Sequence, residues 1–579
     1  MSGPTWQDIA EAACKHRDDT IAQITPPVPE LPPAAELPLD VTGLPRQLLT
    51  AQEDAITKAG VEDLVFAMAE GRLSATEVTG AFLRRAGLAQ KLVWAPFGFT
   101  IPTPTGRCNV NCVTELLGHR ALTRAKLLDE YMATHNKPVG PLHGLPISVK
   151  EHIGMKGLDL NAGFVAWVGT VAEEDAHILK ILWEAGCVFY VRTTQPQTVM
   201  HLETSNNLYG VTVNPYNRGL TSGGSSGGEG ALMGLRGSCL GIGTDIGGSI
   251  RNPAALNGVY GLRPTSYRLP MEGLTFNMGG NEQIVPVVGP LSTSLAGIKL
   301  FMKVLLDAKP WVTEPSLVPL PWRDDVSHLR RGPEGVKLRV GVMWNDGVVK
   351  PHPPVIRALK EVAEKLRRVA GVEVVDWQPY KHDLAWEIIA SLYFADGGQE
   401  ETAAIEASGE PWRPLSKWIL KENPYVKHQT ISEVWDWTDK REHYRRDYAR
   451  VWNNTASTHG SSQPADGSVD VLLCPAAPGA APPFDCSKYW GYTSQWNLLD
   501  YPALAFPVTR ADPAVDLRED RYEPLNDKDR ANWELYEEPE RYRGAPVSLQ
   551  LVGRRYEDEK VVEAMEFINQ QLRLPFAPF

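Results

Sequence analysis

Residues 221–265 read TSGGSSGGEGALMGLRGSCLGIGTDIGGSIRNPAALNGVYGLRPT. Glycine and serine crowd this stretch as they would a flexible linker, but the apolar runs ALMGL and CLGIG interrupt it, and a solvated linker has no use for them. Two serines follow glycine pairs, Ser225 in GGSSGG and Ser249 in DIGGS. Gly247 and Gly248, just before Ser249, admit turns that side-chain-bearing residues avoid. Consecutive N–H groups in such a turn converge on one oxygen, which is what an oxyanion hole requires. The candidate donors are Ile246, Gly247, Gly248 and Ser249 itself. A serine nucleophile also needs a base, yet the stretch holds no histidine.

Outward from this stretch, strand and helix patterns alternate. Short apolar strands are expected at 145–149, 187–192, 338–342, 372–375, 471–477, 503–508 and 547–553. Helices are expected at 121–135, 175–184, 294–306 and 557–572, and along the apolar stripe Val355, Leu359, Val362, Leu366 and Val369. Further upstream, helical patterns cover 5–23, 52–71 and 74–87, the last opened by a Ser74/Glu77 capping pair. The proline-rich segment 26–38 is excluded from helix and reads as an extended arm. Interleaved strands and helices predict an α/β architecture, a single large domain whose mixed sheet is covered by helices on both faces. The division expected is an arm over 1–60 and one domain over 61–579. That domain carries insertions near 400–454, helical and tryptophan-rich, and 512–543, charged and loop-like.

The chain has 579 residues, a formal net charge of −12 and seven cysteines. The acidic balance argues against a nucleic-acid partner, which calls for a basic face. Few and odd-numbered cysteines fit a reducing compartment. Without a secretory h-region or an apolar run of about 20 residues, a cytoplasmic location and no integral membrane segment are expected. A homodimer is the default assembly.

The stretch resembles the amidase signature family of Ser–Ser–Lys amidohydrolases. The resemblance rests on GGSSGG, GTDIGGSIR and YGLRPT, and further on GPLHGLPISVK (140–150), NPYN (214–217), VGPLSTS (288–294), DVLLCPAAP (470–478) and PVSLQLVGRRYED (546–558). It implies Ser249 as nucleophile, Ser225 as relay on a cis Gly224–Ser225 peptide, and Lys150 as a neutral base. The implied oxyanion hole is Ile246 to Ser249, and Val199 and Met200 fall near the family's substrate pocket. No cofactor or metal is implied; the partner is a small amide. GGEGAL after the first serines looks like fungal acetamidases and animal fatty-acid-amide hydrolases, whereas tRNA amidotransferase subunits carry Gly-Gly-Ser-Ala-Ala there. A small aliphatic or aryl amide is therefore the expected substrate. The alternatives are a fatty-acid amide, an amidotransferase role or an inactive scaffold.

Other readings of the same residues fit less well. A dinucleotide or phosphate loop fails because GIGTDIGG has the wrong glycine spacing and no Gly-Lys-Ser/Thr follows. A nucleophile elbow at Ser225 would need an apolar strand before it, and 214–222 reads as loop. Cys108, Cys112 and His119 lack a fourth zinc ligand and a recognised spacing. Asp245 and Arg251 are expected to form a structural ion pair, His152 to pack near Lys150 without acting on it, and Trp412 to Trp437 to serve as core.

Overall fold

In the computed structural model, residues 3–33, 36–92, 112–324, 329, 338–456, 467–574 and 576 are described. One mixed sheet of 11 strands runs through them. In chain order these are β1 (Val113–Leu116), β2 (Pro146–Lys150), β3 (Val188–Thr193), β4 (Leu240–Asp245), β5 (Tyr260–Arg263), β6 (Val287–Ser292), β7 (Leu338–Val342), β8 (Val372–Asp376), β9 (Val471–Pro475), β10 (Ala503–Arg510) and β11 (Pro546–Val552). Their spatial order is β1-β3-β2-β4-β6-β5-β10-β11-β9-β7-β8. Two groups are parallel, β3-β2-β4 and β8-β7-β9; the remaining pairings are antiparallel.

Every residue of β2, β3 and β4 is buried. In these three strands burial does not alternate, as expected where helices cover both faces of a sheet. This is the expected α/β domain, with the site at the carboxyl ends of its first parallel group. Lys150 ends β2 opposite Thr193 of β3, and β4, in parallel register with β2, ends at Asp245 just before the Ser249 loop.

The arm is not a detached element. Its Ile21, Ile24, Val28 and Val41 belong to the same apolar cluster as Val149 and Ile242. Arg218 donates to the carbonyls of Leu37 and Pro38.

Four expectations are corrected. The 52–71 pattern is two helices, Ala51–Lys58 and Val61–Ala69, with Gly60 as the N-cap of the second. Residues 214–222, read as loop, include the strand Asn217–Thr221, which pairs with Val213–Asn214 in a hairpin separate from the main sheet. The charged 512–543 insertion carries a helix, Asp527–Leu535, capped by Asn526. The tryptophan-rich stretch is not uniformly core, since Trp435 is 68% exposed and Trp418 lines a cavity. The 400–454 insertion is helical as expected, including Gln399–Ser408 and the capped Ile431–Asn453.

Candidate active site

Lys150 is fully buried at the end of β2, and its Nζ donates to Thr244 Oγ1 at 3.0 Å and lies 2.7 Å from Ser225 Oγ. Burial disfavours the ammonium and brings the lysine down to about 7 against the opposing pull of Asp245 and Glu229. At neutral pH a large share is therefore free amine.

The histidine two residues on sets the direction of these bonds. His152 Nδ1 lies 2.8 Å from the Thr275 carbonyl, so that nitrogen carries the proton. Burial and the neighbouring Lys150 charge push the ring down to about 3, which leaves Nε2 as an acceptor. Nε2 meets Thr244 Oγ1 at 3.0 Å, so Thr244 donates to His152 and accepts from Lys150. The amine lone pair is then left for the Ser225 hydroxyl. The expectation that His152 merely packs is corrected: it is bonded into the lysine's network through Thr244.

Ser225 follows a cis Gly224–Ser225 peptide. Thr204 Oγ1 accepts the Gly227 N–H and donates to the Gly223 carbonyl, and Asn252 Oδ1 accepts the Gly224 N–H. Ser226 N–H donates to the Ser249 carbonyl at 3.1 Å, which ties the two serine loops together.

The Ser249 loop is folded around Asp245. That carboxylate accepts N–H bonds from Gly248 and Ile250 and is gripped by Arg251 Nε and Nη2. Burial raises its pKa, but Arg251 and Asn497 outweigh this and leave it at about 2. The pair is structural, as expected. Gly248 sits at φ +134°, and a Cβ there would lie 2.3 Å from Thr493 Oγ1, so both backbone and space require glycine.

This loop revises the donor set. The Gly248 N–H, one of the four expected, is already spent on Asp245 Oδ1 at 2.9 Å. The N–H groups of Ile246, Gly247 and Ser249 have no acceptor among the described residues. Val199 and Met200 line one cavity of about 40 Å³ together with Ser225, Ser249, Thr244 and Ile246. Thr198 and Val199 both adopt positive φ, 72° and 59°, an uncommon conformation for β-branched residues that clusters at functional sites. Among the described residues no hydrogen bond joins the Ser225 and Ser249 hydroxyls; catalytic bonds of this kind tighten when substrate fills the gap.

A second cavity, of about 570 Å³, is lined by Leu202, Asn252, Trp386, Trp418 and Trp490 among others. Leu202 follows Met200 by two residues and Asn252 follows Ser249 by three, so the two cavities share wall segments. Glu203 holds part of the larger wall, its carboxyl group accepting the consecutive N–H groups of Asp485, Cys486 and Ser487.

The sequence profile of the family described as Amidase matches residues 107–562. The chain belongs to the amidase family. An acetamidase of Emericella nidulans is 38% identical over 98% of each chain. "Amidase 1" of Gibberella moniliformis is 39% identical over 80% of this chain and 86% of its own. Among solved structures, a fatty acid amide hydrolase superposes with a TM-score of 0.88 at 35% identity, covering 99% of this chain and 96% of that one.

The structure of this amidase thus brings Lys150, Ser225, Ser249, Ile246, Val199 and Met200 to one place. Sequence reasoning missed Thr244, Thr204 and Asn252, because hydroxyls and amides that bond only across the fold carry no periodicity. Cys112 is buried and its N–H donates to Gln90, while Cys108 lies outside the described residues. No described helix is long and apolar enough to cross a membrane.

Proposed function

We propose that this amidase cleaves carboxylic acid amides through an acyl-enzyme on Ser249, with Lys150 as neutral base and Ser225 as relay. The observation that carries the reading is a buried lysine lowered to about 7 with its Nζ 2.7 Å from Ser225 Oγ. Ser249 passes its proton through Ser225 to Lys150 and attacks the amide carbon. The N–H groups of Ile246, Gly247 and Ser249 receive the oxyanion. Lys150 returns the proton through Ser225 to the departing ammonia or amine, and water then cleaves the ester by the same path.

The tight cavity of about 40 Å³ at Ser249 supports a small aliphatic or aryl acid part. One observation favours a second reading, a bulky or long-chain amide: the cavity of about 570 Å³ with its tryptophan walls has the size and apolar lining of sites for drug-sized ligands. Ammonia release from acetamide, benzamide, glutamine and a long-chain fatty amide separates these. The first reading expects acetamide or benzamide to give the highest kcat/KM, and fatty-amide preference overturns it. Ser249→Ala is expected to lower kcat by a factor on the order of 10⁴ or more; near-full turnover would remove Ser249 as nucleophile.

A further inference from the structure

Glu229, from the GGEGAL motif, is completely buried on the helix Gly227–Gly234 beside β2. Its carboxyl oxygens meet only hydroxyls, Thr193 Oγ1 at 2.8 Å and Ser148 Oγ at 2.5 Å. Space is kept for it by Gly241, where a Cβ would fall 2.0 Å from Glu229 Oε2. Lys150 spends its bonds on Ser225 and Thr244, and no cation bonds Glu229 among the described residues.

The protons along this chain of contacts can be counted. Ser148 Oγ also lies 2.8 Å from Ser238 Oγ, and Ser238 Oγ donates to the Leu240 carbonyl at 3.0 Å. Three contacts, Glu229–Ser148, Ser148–Ser238 and Ser238–Leu240, each require one proton. The two serine hydroxyls bring one apiece. All three are satisfied together when the carboxyl group supplies the third, with Glu229 donating to Ser148, Ser148 to Ser238 and Ser238 to Leu240. Thr193 spends its own proton on the other carboxyl oxygen in any case.

We propose that Glu229 is a neutral carboxylic acid in the resting enzyme and acts as a positioning residue that keeps Lys150 an uncharged amine. This rests on the reading of Lys150 as base. Ser148 and Lys150 alternate along β2 and so share one face, which places the acid behind the amine. An ionised Glu229 favours the ammonium form of Lys150 and so opposes the effect of burial on the base. Burying an unpaired carboxylate is also costly. Consistently, burial lifts Glu229 to about 7 against its hydroxyl partners and Lys150. The other groups facing it add no cation. Tyr190 on β3 is raised well above its ordinary value by burial, the Cys112 thiol ahead of β1 is pushed up to about 12, and Asp245 at the end of β4 is already paired with Arg251.

The test uses the whole enzyme, two variants and two readouts. In Glu229→Gln the amide donates to Ser148 and accepts from Thr193, as the neutral acid does. Its acid limb of kcat/KM is expected within about 0.3 pH unit of wild type, because no charge is lost. A limb moved down by about one unit or more would show that a carboxylate had been removed, and overturns the proposal. In Ser238→Ala the Ser148 proton is freed for Glu229, which favours its ionisation. The limb is then expected to move up by about one unit; an unmoved limb overturns the proposal. Independently of turnover, the infrared difference between wild type and Glu229→Gln at neutral pH is expected to contain a protonated-carboxyl carbonyl band that shifts in D2O. Its absence overturns the proposal even where Lys150 is the base. A failure of the base reading appears separately, as a Lys150→Ala enzyme that keeps its activity.

Discussion

Lys150 owes its chemistry to a penalty. The unfolded chain binds its proton with the ordinary lysine affinity of 10.5, whereas burial holds the native group at about 7. Between those values the unfolded state carries more protons, so this group makes stability rise with pH, and its full cost is present below about 7. Lys150→Met is therefore expected to stabilise the fold at pH 7, by up to about 4 kcal/mol, while abolishing activity. The gain should vanish above about pH 10.5, and chemical denaturation across pH measures it. Wild-type kcat/KM should fall as pH drops through about 7, because the protonated amine accepts nothing from Ser225. A profile flat down to pH 5 would sink the role of Lys150. The sequence pointed to Lys150 only through family resemblance; its two hydroxyl partners come from β4 and from the loop that carries Ser225.

At the scale of the element, the Ser249 loop depends on a charge pair it does not expose. Asp245 and Arg251 are both fully buried and 2.9 Å apart, and Arg251 further donates to the Thr493 carbonyl and to Asn497 Oδ1. Breaking a buried pair leaves one charge uncompensated, which costs about 3–5 kcal/mol. Arg251→Met is expected to lose stability on that scale, with loss of turnover because the Gly248 and Ile250 N–H groups lose their fixed acceptor. Denaturant midpoints check the first part; near-wild-type stability would make the pair dispensable. The pair was legible from residue types and spacing. The Gly248 N–H was not, since the direction of one peptide plane follows from which side chain reaches it.

Over the whole molecule, the arm and the body are fastened by close approach. A Cβ at Gly87, in the helix Ala75–Leu92, would stand 2.6 Å from Val28 Cγ2, and one at Gly118 would stand 2.8 Å from Ile24 Cδ1. Alanine ordinarily improves a helix over glycine by about 1 kcal/mol. Gly87→Ala is nevertheless expected to destabilise and to speed proteolysis between residues 22 and 45, because the arm must lift to admit the methyl group. Unchanged proteolysis would show that Val28 merely rearranges. The prolines exclude a helix from the arm, but its seat on two helical glycines depends on segments tens of residues away.

The strands were readable because continuous apolar runs bounded by turn residues are a local signal, and the candidate serines because glycines mark a backbone that side chains would block. Insertions were less so: 512–543 read as loop because charge hides the helix Asp527–Leu535, whose face meets the body only after folding. By itself the sequence determined the α/β class and the family, and it singled out Lys150, Ser225 and Ser249 as candidates. Tertiary structure alone decided that His152 and Lys150 share Thr244, that Gly248 turns to Asp245, and that Glu229 bonds Ser148 and Thr193. The reason is physical. Local pattern encodes which surfaces are buried, whereas hydrogen-bond direction and proton affinity depend on groups that only folding brings within about 3 Å.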